Sequence, residues 1–278
     1  MDDTSPLPDP AAAKPSPNVA KPFPGFAQAL LVLFLFLFFT GIAGIPAIVI
    51  KHLGFTRALP WVFLAGQLSA TAYLLWIFTT QNGLQWRHYF PHRPVAPAVW
   101  PLVMFATLGI ILLSNGLNGL LERILPPPAW LNQSFADLGW QGVVIGAPLT
   151  EEPLFRGMLF GGFLQRYGPR KAIAYSALLF ALIHMNPWQF PTAILAGLFL
   201  GWLMLRTGSI WPCVFGHFIN NFTAQLAESL DVPNPSNSGN QPLWMWALGL
   251  ALAVLAIGAL HRVLKNKAED PLLTEPLP

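Results

Sequence analysis

Two carboxylates, two imidazoles and a carboxamide stand in this chain inside stretches that otherwise read as membrane-buried helix. They occur in Glu151-Glu152-Pro153-Leu154-Phe155-Arg156, in Phe180-Ala181-Leu182-Ile183-His184 and in His217-Phe218-Ile219-Asn220-Asn221. An acid at the centre of a membrane helix costs roughly 2.5–3.5 kcal/mol on insertion scales, so function is the default reading of such a residue. The set is sufficient for hydrolysis, which needs a base for water and donors where negative charge develops.

Neighbouring positions on a helix point about 100° apart. Glu151 and Glu152 therefore face different surroundings. Arg156 follows Glu152 by one turn, in the favourable acid-before-base order. The simplest division pairs Glu152 with Arg156 and leaves Glu151 facing a cavity as a general base. Pro153 removes a backbone donor and disfavours helical geometry at Glu152, so a kink or a helix restart is expected there. The carbonyls so freed suit a wet cavity. His217 and Asn221 share a helix face, so an imidazole and a carboxamide could serve one oxygen together. Asn220 points elsewhere and reads as a packing or helix–helix hydrogen-bonding residue. Phe180 lies one turn before His184 on the same face. These groups are expected to converge among the fourth, fifth and seventh spans, in a cavity open toward the cytoplasm.

The elements that must hold them are helical. The chain has 278 residues, of which 54% are hydrophobic and only 10% charged, against about 25% charged in a soluble domain. The fold class is all-α, a polytopic membrane protein of about eight transmembrane helices with the site inside the bundle. Apolar stretches of spanning length run at about 26–50, 59–80, 98–121, 138–160, 171–186, 190–205, 210–228 and 242–261; the fourth carries the Glu pair inside it, and the fifth is short, ends at Asn186-Pro187 and reads as partly embedded. Residues 1–25, rich in Pro, Ala and Asp, form a disordered tail. The membrane domain spans 26–262 with its core at about 140–230, and 263–278 is a second tail. Trp61, Trp76, Trp86, Trp100, Trp130, Trp140, Trp211 and Trp244 fall near span ends, as interface anchors do. A cleaved signal peptide would carry a shorter apolar run nearer the start.

Lys and Arg orient the chain. With Arg156 set aside, one side of an eight-span arrangement holds Lys14, Lys21, Arg87, Arg93, Arg166, Arg170, Lys171, Arg206, Arg262, Lys265 and Lys267. The other holds Lys51, Arg57 and Arg123. The positive-inside rule puts both termini in the cytoplasm, in a plasma-membrane protein. The net charge of +3 gives no footprint for nucleic acid. One cysteine, Cys213, rules out an intrachain disulfide and a Cys-based metal cluster. His88 and His92 have ligand-like spacing, but Pro91 interrupts them. The chain has no His-Glu-x-x-His segment, no Gly-rich phosphate loop and no Gly-x-Ser-x-Gly elbow. Gly142/Gly146, Gly157/Gly161 and Gly197/Gly201 allow close helix packing and carry no functional information.

The three polar segments resemble the motifs of the CPBP family, which includes type II CAAX prenyl proteases and bacteriocin-processing enzymes. That family carries Glu-Glu-x-x-x-Arg, Phe-x-x-x-His and His-x-x-x-Asn in this order on successive membrane helices. Here they are Glu151-Glu152 with Arg156, Phe180 with His184, and His217 with Asn221. Phe155-Arg156-Gly157 and Arg206-Thr207-Gly208-Ser209-Ile210-Trp211 also resemble family sequence. The resemblance covers about 140–230, a third of the chain.

It implies an all-helical intramembrane endopeptidase acting on a membrane-embedded or lipidated substrate within the lipid bilayer. That substrate could be a prenylated C-terminal peptide, a leader peptide or a regulatory membrane protein. By the same resemblance Glu151 and His184 activate water, His217 and Asn221 stabilise the oxyanion, and Glu152 and Arg156 shape the site. A glutamate mechanism requires no cofactor and is the preferred reading; zinc held by Glu151, His184 and His217 is the alternative. Two other functions fit the same residues. One is a transporter or channel with Glu151 as a proton or ion site. It would need a polar path from both sides, whereas the polar groups cluster in three helices. The other is a non-catalytic family member acting as a membrane scaffold or bacteriocin-immunity protein.

Overall fold

The computed structural model describes residues 23–82, 90–128, 139–230 and 241–268. Trp86, His88 and Trp130, and most of both expected tails, lie outside them. The described residues form eight helices and no strand. They are α1 (Phe26–His52), α2 (Leu59–Asn82), α3 (Val99–Ile124), α4, α5 (Pro169–Ile183), α6 (Phe190–Thr207), α7 (Trp211–Ser229) and α8 (Leu243–Ala268). Helix α4 consists of four consecutive segments: Gln141–Gly146, Ala147–Glu152, Pro153–Leu159 and Phe160–Tyr167. Each helix follows one apolar run of the sequence. Helix α8 continues to Ala268, past the expected boundary at 262, because nothing between Arg262 and Ala268 breaks a helix.

Five stretches are long and apolar enough to cross a membrane: Phe26–His52, Thr56–Asn82, Val99–Ile124, Phe190–Thr207 and Leu243–Lys265. The chain is a polytopic membrane protein. The other three helices are α4 and α7, which carry Glu151, Glu152, Arg156, His217 and Asn221, and α5, whose C-cap is His184. Large apolar side chains such as Phe34, Ile48, Trp76 and Leu255 remain exposed on the five long helices, as a lipid-facing surface requires. By contrast, every residue of Pro153–Leu159 is buried. The polar part of α4 thus lies at the centre of the bundle.

Contacts between helix ends agree with the alternation of an eight-span chain. On one side, Phe26 N–H donates to Tyr167 Oη at 3.0 Å and Ile210 N–H to Pro91 O at 2.8 Å. On the other, Trp188 Nε1–H donates to Leu125 O at 2.6 Å, and Pro60 packs beside Gly139. Helices α5 and α6 approach to backbone contact: a Cβ on Gly197 would sit 2.9 Å from Ala177 Cα. Gly109 allows the same between α3 and α8, where its Cβ would lie 2.5 Å from Ala253 N.

Helix α5 has only 15 residues, which rise about 22 Å, less than the ~30 Å hydrocarbon core.

Candidate active site

Two prolines shape the helix that carries the carboxylates. Pro148 and Pro153 have no N–H to close the i→i−4 links to Val144 and Leu149. The chain stays helical but widens to i→i−5 bonding over Gln141–Gly146 and again over Pro153–Leu159. Such π segments occur often at functional sites. The short α segment between them, Ala147–Glu152, ends on the Glu pair. Pro153 thus changes the winding of α4 without breaking it.

Glu152 is fully buried and is the hub of the ionic network. Its Oε1 accepts from Arg156 Nη1 at 3.2 Å and from His217 Nδ1 at 2.8 Å. The Glu152–Arg156 pair is the one expected from their spacing. The bond from His217 was not expected from the sequence, since it joins residues on α4 and α7. Arg156 is also fully buried, and its guanidinium carbon lies 4.5 Å from the centroid of the Phe180 ring. A desolvated cation over an aromatic face gains about 2 kcal/mol.

Phe180 organises both imidazoles. Its ring meets His184 edge-on at 5.1 Å and His217 at 5.6 Å, and packs on Phe155 at 5.1 Å. The side chains of α4, α5 and α7 thus converge on one phenyl ring. His184 caps its own helix: Nδ1–H donates to Phe180 O at 2.8 Å, satisfying one of the last carbonyls of α5. In the neutral ring this leaves Nε2 as an acceptor. Met185, next along, has φ +48°, an unusual value for a non-glycine residue, and ends the helix at that point.

Asn221 is placed differently from the expected joint donor. Its Nδ2 donates to Val143 O on α4 at 2.8 Å, and its Oδ1 accepts from Asn220 Nδ2 at 3.0 Å. His217 and Asn221 share a face of α7 but hold two different levels of α4. Glu151 is half-buried, and its Oε2 is enclosed with no hydrogen-bond partner among the described residues. Glu152 Oε2, Arg156 Nε and Arg156 Nη2 are likewise enclosed and unpaired. Enclosed polar atoms of this kind are rare and mark places where water or substrate can bind.

No three His, Cys, Asp or Glu side chains are grouped as metal ligands among the described residues. The set Glu151, His184 and His217 does not form a ligand cluster in this arrangement.

A cavity of about 650 Å³ lies beside the ionic network, between the start of α3, the segment 92–95, α4 and α7. Its walls include Trp100, Pro148, Leu149, Trp211 and Phe218, with His92 and Arg93 at one end. None of the six candidate residues lines it, and α5 takes no part. Gly208 adopts a left-handed conformation (φ +59°) with the Arg93 side chain directly against it. Sequence reasoning missed this cavity, because the loop before α3 gave no signal of packing on α7. It also missed Ser176, whose hydroxyl donates to Phe155 O at 3.2 Å within the second π segment.

Comparison with known proteins adds one finding. Residues 134–223 match the family model described as type II CAAX prenyl endopeptidase Rce1-like. The matched stretch contains Glu151, Glu152, Arg156, His184, His217 and Asn221. No curated protein and no solved structure matches the chain. Over about a third of its length, then, the chain is similar to this family, whose motifs its three polar segments also resemble.

Proposed function

We propose that the protein is an intramembrane endopeptidase that hydrolyses a peptide bond of a membrane-associated substrate, with both termini in the cytoplasm. The observation that carries this reading is the convergence of His184, His217, Glu152 and Arg156 on Phe180, deep in a membrane bundle. Burying these groups is costly unless they are paired and used.

In this reading Glu151 is the base. Its unpaired oxygen takes a proton from water as the water oxygen attacks the carbonyl carbon. His184 Nε2, the acceptor left by the Nδ1–H bond, holds the water's other hydrogen. The charge on the carbonyl oxygen is met by His217, which in its protonated form presents Nε2–H while Nδ1–H stays on Glu152. Asn221, engaged with Val143 O, acts on α4 rather than on this oxygen. When the C–N bond breaks, Glu151 returns the proton to the leaving amine.

Substrate trapping tests the reading. Membranes carrying Glu151→Gln should retain an intact substrate that wild-type membranes convert to two fragments, read by mass spectrometry. Identical peptide profiles from the two would count decisively against proteolysis.

A further inference from the structure

In the first π segment of α4, Ala147 N–H bonds back to Gly142 O, five residues earlier. The next link of that ladder would run from residue 148 to Val143 O. Residue 148 is a proline and has no N–H to give. The carbonyl it leaves open is the one that Asn221 Nδ2–H reaches from α7 at 2.8 Å. Asn220 Nδ2–H in turn holds Asn221 Oδ1 at 3.0 Å. An amide can be turned either way round, and this second bond fixes which end faces α4.

We propose that Pro148, Asn221 and Asn220 form a bracket that sets the winding of α4 and hence the direction in which Glu151 and Glu152 leave it. Asn220 is the new positioning residue. Its amide donates to Asn221's amide oxygen, and its effect passes through Val143. The α segment between bracket and Glu pair is Ala147–Glu152. A change from i→i−5 to i→i−4 bonding there would turn the Glu side chains relative to His217, which α7 holds separately. What the bracket serves rests on the endopeptidase reading; the bracket itself does not.

The test uses full-length protein in nanodiscs and the variants Asn220→Ala, Pro148→Ala and their double. Asn220→Ala should lower turnover about tenfold, the scale of one lost buried hydrogen bond, with little change in KM. It should also speed hydrogen exchange at the Ala147 amide about as much. Pro148→Ala supplies a backbone donor that lets this stretch close by i→i−4 bonding, so it should itself turn the Glu pair and lower turnover. In that background Asn220→Ala should change turnover and exchange by less than about threefold, inside the effect of one hydrogen bond, because Val143 O no longer needs Asn221 as a cap. Additive effects of the two changes, or full turnover in Pro148→Ala alone, overturn the bracket. Should no variant or wild type cleave any peptide, the exchange data still decide the bracket, and the proteolytic reading alone falls.

Discussion

Replacing Arg156 by alanine removes a wholly buried guanidinium that bonds to Glu152 Oε1 at 3.2 Å and lies 4.5 Å from the Phe180 ring centroid and 5.9 Å from that of Phe155. Breaking one side of a buried ion pair costs roughly 3–5 kcal/mol, because the remaining charge stays in a medium that cannot solvate it. The lost cation–π contact pushes the figure up by about 2 kcal/mol. The bond from His217 to the same carboxylate oxygen pulls it down, since Glu152 keeps one partner. The expected loss is about 4 kcal/mol, which for a chain of this size lowers Tm by about 8–16 °C. Thermal unfolding in nanodiscs, followed by tryptophan fluorescence, reads it. Glu152→Gln alone should also destabilise, by stranding the cation. The double variant Glu152→Gln with Arg156→Gln should lose less than the sum of its two single changes, by at least about 1 kcal/mol. It should not regain activity, since His217 then lacks its anion. Additivity of the single effects within about 0.5 kcal/mol would refute direct coupling and the reasoning built on it.

Three further outcomes are expected. Glu151→Gln should reduce peptide hydrolysis by 10²- to 10⁴-fold, the usual share of a general base, with Tm almost unchanged because no bond to Glu151 is lost; turnover above about one hundredth of wild type would argue against the role. Phe180→Leu keeps an apolar side chain but loses the ring that both imidazoles and Arg156 contact, so activity and Tm should fall together; wild-type Tm in that variant would show that the ring is not an anchor. Elemental analysis of active purified protein addresses the metal: full activity after chelation is expected, whereas stoichiometric zinc lost together with activity would recast the His and Glu residues as ligands.

The helices were legible because each follows a long apolar run bounded by charges, prolines or tryptophans, with α4 carrying its charges inside. The Glu152–Arg156 pair was legible because one helical turn is a local rule. The bond from His217 to Glu152 was not. It depends on which faces of α4 and α7 meet, and one sequence carries no record of that. Pro153 announced a change in α4, but proline alone does not say whether a helix kinks, restarts or widens. Packing against α2, α5 and α7 held it helical, and the lost donors were absorbed by five-residue bonding. His184 illustrates a different limit. Its place at the end of a helix too short to cross the membrane could be read from length, yet its self-capping bond to Phe180 O needs the coordinates.

The adjacent carboxylates can be understood from what the membrane tolerates. Glu152 has given one oxygen to Arg156 and His217 and so fixes charge in a rigid frame. Glu151, about 100° around the helix, keeps an enclosed oxygen without a protein partner. A single glutamate could not hold both conditions, because the bonds that make an anion stable in the bundle also use up its basic oxygens. A base placed alone would meet the full cost of burial and take up a proton instead. In the proposed mechanism, the frame built on Glu152 supplies positive charge and orientation nearby, while Glu151 keeps the oxygen that the base role requires. The division also explains why the five long helices carry so little polarity. They supply the lipid-facing surface, while α4, α5 and α7 exchange hydrogen bonds and ring contacts among themselves.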